Sequence, residues 1–196
     1  MANDNDLIRC ILPDKIKKAV DGVIACQQSE IIRKQAYYRD VLHNTQLLKY
    51  IECPKEIEME IMREAGAKFV GAGTSRDAYR WDNCVVKVAN SPYSKAENIS
   101  EYEQYKHMTP GERQYFVPAE EIGHEGSYIT MPYAQKKTIG ERRDAVIRMN
   151  HDLINDGIVV ADMHESNIGF INGKPKIIDY ANMNITPIIM SRRQIK

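Results

Sequence analysis

Asp162-Met163-His164-Glu165-Ser166-Asn167, followed downstream by Ile177-Ile178-Asp179-Tyr180-Ala181, is the stretch on which the reading of this chain turns. It places two carboxylates and an asparagine amide in a loop and just past an apolar run. Hard oxygen ligands of this kind suit Mg²⁺ carrying substrate phosphates. A zinc reading of Asp162, His164 and Asp179 lacks further nitrogen or sulfur ligands. Either Asp162 or Asn167 alone would read as an ordinary turn residue. Their spacing weakens that plainer account.

Upstream, Cys84-Val85-Val86-Lys87-Val88-Ala89 reads as a strand with a lysine inside an apolar run. Alternation permits a solvated Lys87, whereas a buried one needs a carboxylate partner. The helix expected next supplies Glu97, Glu101 and Glu103. Ser94-Lys95-Ala96-Glu97 has the form of a capping box, which would use Glu97 on the backbone and leave Glu101 to reach Lys87. Before the strand stands Gly71-Ala72-Gly73-Thr74-Ser75-Arg76. Such a loop can point N–H groups at phosphate oxygens, but a plain hairpin turn has the same form. A strand follows it, which excludes a Rossmann loop, and no Gly-Lys-Ser/Thr closes it, which excludes a P-loop.

The remaining pattern is mixed. Ile16, Ala19, Val20, Val23 and Ile24 make one helical stripe, and a second helix is expected over roughly 29–51. Its expected buried face comprises Ile31, Ile32, Val41, Leu42, Leu47, Leu48 and Ile51. A third helix runs from Pro54 to Gly66 with Ile57, Ile61 and Ala65 inward. Strands are then expected at 68–70, 78–81, 84–89, around 116–122 and at 128–133. A second capping box, Thr138 to Glu141, opens a helix ending near Asp156-Gly157, and two strands flank Asn172-Gly173.

The 196 residues carry 27 basic and 27 acidic side chains, so no global field attracts nucleic acid or anionic lipid. Cys10, Cys26, Cys53 and Cys84 show no metal spacing and read as small buried hydrophobes in a reduced protein. No apolar stretch approaches bilayer length, and the first ten residues lack the pattern of a signal peptide, so a cytoplasmic protein is expected.

The Asp-x-x-x-x-Asn of Asp162 and Asn167, then Asp179-Tyr180-Ala181 in the place of Asp-Phe-Gly, resembles the protein-kinase pattern. Gly71-x-Gly73 and Val-Val-Lys87 stand upstream in kinase order. The form Asp-Met-His-x-x-Asn-Ile is similar to the aminoglycoside-phosphotransferase branch of that superfamily. It is closer still to the small serine/threonine kinases of bacteriophages, whose place of action is the bacterial host cytoplasm.

The resemblance implies an α+β, minimal bilobal fold. It has a helical N-terminal extension over 1–66, an N-lobe and hinge over 67–134 and a truncated C-lobe over 135–196. It further implies that ATP and Mg²⁺ are the cofactors. Gly71, Ala72, Gly73, Thr74 and Ser75 would cover the phosphates, and Lys87 would hold them while paired with Glu101. Met131 and Tyr133 would lie in the adenine hinge, Asn167 and Asp179 would bind the metal, and Asp162 would orient the attacking hydroxyl near His164.

Departures accompany the matches. Arg76 replaces the third loop glycine, Val160 precedes the catalytic Asp in place of His or Asn, and His164 stands where protein kinases carry a lysine. With 17 residues after Asp179, the second lobe is expected to be minimal. The first 65 residues would replace part of it, dock a partner or form a homodimer. Three activities follow: a protein serine/threonine kinase, a small-molecule kinase, or a nucleotide-binding pseudokinase acting by contact.

Overall fold

The computed structural model describes residues 10–41, 55–73 and 75–187. The chain divides into two compact units, 1–99 with 120–132 and 100–119 with 133–196. Its class is α+β, as the order of elements predicts.

The first unit is built on an antiparallel sheet in the order β1-β2-β3-β5-β4. Its strands are β1 (Lys68–Ala72), β2 (Arg76–Trp81), β3 (Cys84–Ala89), β4 (Glu121–Ile122) and β5 (Tyr128–Pro132). The β1/β2 register slips between Phe69 and Gly71, a bulge just before the glycine turn. Side chains alternate across a strand, so the register sorts the sheet into two faces. Tyr79, Val86, Val88 and Tyr128 share a core with Leu12, Ile16, Ala19, Val20, Val23 and Met62. The opposite face carries Lys87, aligned between Ala78 and Ile129, and Val85, opposite Met131.

Helices α1 (Asp14–Val41) and α2 (Lys55–Glu64) supply that core. The predicted stripe on α1 is buried at Ile16, Ala19, Val20 and Val23. One continuous helix replaces the two expected over this region, and Leu42–Ile51 of the expected second helix lie outside the described residues. The N-terminal helices therefore share their core with the sheet.

Helix α2 ends in a Schellman motif: Gly66, at φ +90°, donates to Arg63 O (2.9 Å) and Ala67 to Met62 O (2.9 Å). Its inward face is the expected one in part, since Ile61 and Ala65 pack against the core. Ile57 is 46% exposed, while Glu58 (2%) and Met62 (0%) are buried. Glu58 is tolerated there because the Tyr79 hydroxyl donates to it at 2.6 Å.

The cysteine expectation also needs correction. Cys10 and Cys84 form a disulfide with Cα atoms 5.5 Å apart, within the usual span, although 74 positions separate them in sequence. Nearby, Thr130 Oγ1 donates to Cys10 O (3.0 Å), Leu12 N to Glu121 Oε2 (3.2 Å), and Lys17 pairs with Glu121 (2.6 Å). Burial alone would raise the Glu121 carboxyl, but Lys17, the Leu12 N–H and the Tyr128 hydroxyl together hold it below the ordinary range.

Helix α3 (Pro92–His107) begins three residues earlier than the expected box requires. Pro92 takes the first helical position. Ser91 and Ser94 cap reciprocally, with Ser94 N on Ser91 Oγ (3.2 Å) and Ser91 N on Ser94 Oγ (2.8 Å). Glu97 is thereby released from capping.

The second unit holds the short α4 (Pro110–Arg113), α5 (Ile139–Asn155), the pair β6 (Ile158–Val160) and β9 (Ile185–Pro187), and the hairpin β7 (Ile168–Ile171) and β8 (Lys174–Ile177). The Thr138–Glu141 box forms with both of its bonds, and Gly157 at φ +76° follows the helix end. Asn172 (φ 50°) and Gly173 (φ 76°) make the turn their sequence predicts. The strand expected around 116–122 is shorter: Val117 N bonds Ile177 O (2.9 Å), Pro118 has no N–H to give, and only Glu121–Ile122 join the sheet.

Candidate functional site

Within the first unit, the glycine turn lies between β1 and β2. Gly71 and Ala72 belong to β1 itself, so the loop proper is shorter than the sequence suggests. Gly73 N donates to Arg76 O at 2.8 Å and closes the turn; Thr74 lies outside the described residues. Ser75 Oγ donates to Glu97 Oε2. Lys87 is half-buried in the middle of β3, on the face away from α1 and α2. Met131, near the end of β5, is buried.

Within the second unit, a different set converges. The β7/β8 register aligns Ile168 with Ile177, and Ile178 N donates to Asn167 O at 2.8 Å. Asn167 and Asp179 therefore flank the open end of one hairpin. Gly169 permits this packing, since a Cβ there would come within 2.6 Å of Ala134 Cβ and 2.9 Å of Ile178 Cγ2. Gln135 and Phe170 exchange backbone hydrogen bonds (2.9 Å each), tying the segment after Tyr133 to the same hairpin.

The loop entering this hairpin has an unusual backbone. Asp162, directly after the β6 extension, sits at φ +61°, a region Asp enters several-fold more readily than most residues. His164 is extended (φ −137°), and a short 3₁₀ turn covers Glu165–Asn167. The Asn167 amide Nδ2 lies 3.0 Å from His164 Nε2. An amide nitrogen carries only hydrogens to give, so Nε2 is the accepting side of this contact. The same contact leaves Oδ1 as the remaining end of the amide, a hard oxygen. Asp162, His164 and Asp179 are all exposed.

Residues that sequence reasoning missed hold this loop in place. Arg142 Nη1 of α5 donates to Glu165 O (2.8 Å), and Arg143 pairs with the Glu165 carboxylate (3.4 Å). The Glu165 backbone N–H, with Arg143 assisting, keeps that carboxyl below its usual range.

The triplet after Ile178 is fastened to the second half of α3. Glu101, fully buried, accepts the Tyr180 N–H at 3.0 Å. Ser100 Oγ (3.0 Å) and Gln104 Nε2 (2.9 Å) both donate to Ala181 O. Tyr180 is buried edge-on to Phe116, ring centroids 5.2 Å apart, and donates to Val117 O (2.8 Å). Polar residues at 100, 101 and 104 on one turn of α3 are the signal that could have announced this anchor. Glu101 thus has a described role, orienting the segment behind Asp179, that its expected pairing with Lys87 did not include.

Neither a family model nor a curated relative matches the chain. Among solved structures, WbdD with the kinase inhibitor LY294002 is 13% identical, covering 59% of this chain and 33% of its own, with a TM-score of 0.44. The ternary complex of streptomycin, ATP and APH(2″)-IIa is 12% identical, covering 62% of this chain and 67% of its own, with a TM-score of 0.45. The chain thus spans about a third of the length of WbdD.

No group of three or more His, Cys, Asp or Glu side chains among the described residues could hold a metal by itself. Mg²⁺ needs no such cage, because it usually keeps waters and takes one or two carboxylates plus substrate phosphates. An exposed Asp179 carboxylate and the Asn167 amide oxygen at one hairpin end fit that demand. No described helix is long and apolar enough to cross a membrane.

Proposed function

We propose that the chain is an ATP- and Mg²⁺-dependent phosphotransferase acting on a hydroxyl, with serine or threonine of a protein as the acceptor. The observation that carries the reading is the hairpin register. Asn167 and Asp179 come to one end of it, while the Asp162 carboxylate leaves the preceding loop in a left-handed backbone conformation. This is the residue chemistry that phosphoryl transfer needs, since the protein's task is positioning and charge stabilisation around a loose transition state.

On this reading Asn167 and Asp179 hold Mg²⁺, which when bound neutralises charge on the phosphate oxygens. Asp162 orients the attacking hydroxyl and accepts its proton late; a carboxylate is a weak base, so orientation outweighs proton abstraction. Lys87 holds the α- and β-phosphates, and the backbone of the glycine turn covers the β- and γ-phosphates. Met131 and Tyr133 flank the adenine. Arg142 and Arg143 set the loop through Glu165, and Glu101, Ser100 and Gln104 set the segment behind Asp179.

A second acceptor class is supported by His164. Its contact with Asn167 puts an imidazole beside the metal-binding amide, in the Asp-x-His-x-x-Asn form of small-molecule kinases. Radiolabelled ATP incubated with the purified chain and a cell lysate separates the readings. Labelled protein bands support the protein kinase, a labelled soluble metabolite supports the second reading, and nucleotide binding without turnover contradicts both.

A further inference from the structure

Arg76 stands where a third glycine would be expected in a phosphate-covering loop, and a cation there has two opposite uses: gripping phosphates or holding the loop. Its side chain is only 8% exposed. Arg76 opens β2 opposite Ala89, and its guanidinium turns to α3. There Nη1 donates to Asn98 Oδ1 at 3.1 Å, and Nε lies 3.8 Å from Glu97 Oε2. That same carboxylate oxygen accepts the Ser75 hydroxyl. Asn98, fully buried, spends its other end on Gly126 O at 2.8 Å. A Cβ on Gly126 would come within 2.4 Å of Lys95 O, so the turn at 124–126 fits closely against α3 and fixes that carbonyl. Finally, Arg76 O accepts Gly73 N at 2.8 Å.

The consequence is mechanical. Both exits of the glycine turn lead into one buried polar cluster: Gly73 through the Arg76 carbonyl, and Ser75 through the Glu97 carboxylate. A buried ion pair with its remaining hydrogen bonds satisfied contributes little net stability, yet it enforces one geometry because a half-satisfied version is costly. Ser91 and Ser94 cap α3 between themselves, so the cap does not draw on Glu97.

We infer that Arg76, Glu97 and Asn98 form a clamp that fixes Gly73 and Ser75 of the glycine turn to α3, so that Arg76 and Glu97 are positioning residues for the nucleotide phosphates, acting through the loop backbone. This rests on the phosphotransferase reading for its ligand, while the ordering of the loop is independent of it. The test uses the full chain with Arg76→Gln, Glu97→Gln and Ser75→Ala. Two readouts are taken: amide hydrogen exchange of residues 71–75 without ligand, and calorimetric titration with MgATP.

Each variant is expected to speed loop exchange, and Arg76→Gln and Glu97→Gln are each expected to weaken MgATP binding roughly tenfold, the loss expected for one hydrogen bond to a charged group. The double variant is expected to lose little beyond either single one. Loop exchange unchanged in Glu97→Gln overturns the clamp. So does weaker binding in Arg76→Gln alone, which would mean that Arg76 itself grips phosphate. If Arg76→Gln fails to fold, Ser75→Ala decides the exchange arm. If the wild type binds no MgATP, the proposed function falls and the exchange arm still decides the clamp.

Discussion

Replacing Tyr79 by Phe removes a single oxygen from the core of the first unit. The ring stays packed among Met62, Val86 and Val88, so the cavity term is small. The loss is the 2.6 Å hydrogen bond to Glu58, a carboxylate only 2% exposed. Hydrogen bonds to charged groups contribute about 1.5–3 kcal/mol. Water cannot readily replace the missing donor at such burial, so roughly 2 kcal/mol is expected here. The chain's single tryptophan, Trp81, closes β2 and packs against the same cluster, so its fluorescence reports unfolding of this unit. With a urea m-value of about 2 kcal/mol/M, the midpoint should fall by about 1 M. In a double-mutant cycle with Glu58→Gln, the two changes should be clearly non-additive. A Tyr79→Phe midpoint within about 0.2 M of wild type, or strict additivity, would refute the claim that this bond is what makes Glu58 tolerable in the core.

Three further outcomes follow from other contacts. Glu121 has its folded pKa held below the ordinary 4.5, so it stabilises the fold above that pH, and its contribution disappears as pH falls through the folded value. The gap in melting temperature between wild type and Glu121→Gln should accordingly be widest near neutrality and close below pH 4.5; a gap independent of pH contradicts the assignment. Reducing the Cys10–Cys84 bond, which spans 74 positions, should cost up to about 4 kcal/mol on the chain-entropy estimate, read from Trp81 with and without reductant, and identical midpoints would be incompatible with the bridge. Gly169→Ala, with its Cβ forced to 2.6 Å from Ala134, should destabilise the second unit by about 1–3 kcal/mol and speed exchange of the Gln135 and Phe170 amides; slow exchange in the variant speaks against that packing.

Local chemistry was legible in the sequence wherever neighbouring residues decide the outcome. The Asn172-Gly173 turn, the Thr138–Glu141 box and the Gly66 stop each depend on a few adjacent dihedrals and hydrogen bonds. So does the α1 stripe, because a single period sets it. Ambiguity arose where two local solutions compete. Ser91/Ser94 and Ser94/Glu97 are both capping pairs, and Pro92 at the first helical position accompanies the former. Along α2, Ile61 and Ala65 of the expected face do pack against the core, while Glu58 and Met62 take the buried positions and Ile57 is left exposed.

Long-range pairing left no local trace. Nothing adjacent to Cys10 announces Cys84, and β6 meets β9 across 25 positions of intervening chain from Val160 to Ile185. At the candidate site, Asn167 and Asp179, singled out from the sequence, flank one end of the β7/β8 hairpin. The supports from Arg142 and Arg143 were silent because their targets are a backbone carbonyl and a neighbouring carboxylate, which no side-chain motif records, whereas Ser100 and Gln104 left a polar turn on α3 as their trace.

The central claim is that this chain moves a phosphoryl group using Asp162 and Asp179. The most direct measurement is transfer of label from γ-labelled ATP in the presence of Mg²⁺, comparing wild type with Asp162→Ala and Asp179→Ala, each shown to be folded by circular dichroism and by the hydrogen exchange of the Gln135 and Phe170 amides. Label transferred by the wild type and lost by at least about 100-fold in both variants is the expected result. Equal transfer by wild type and either variant would contradict the account.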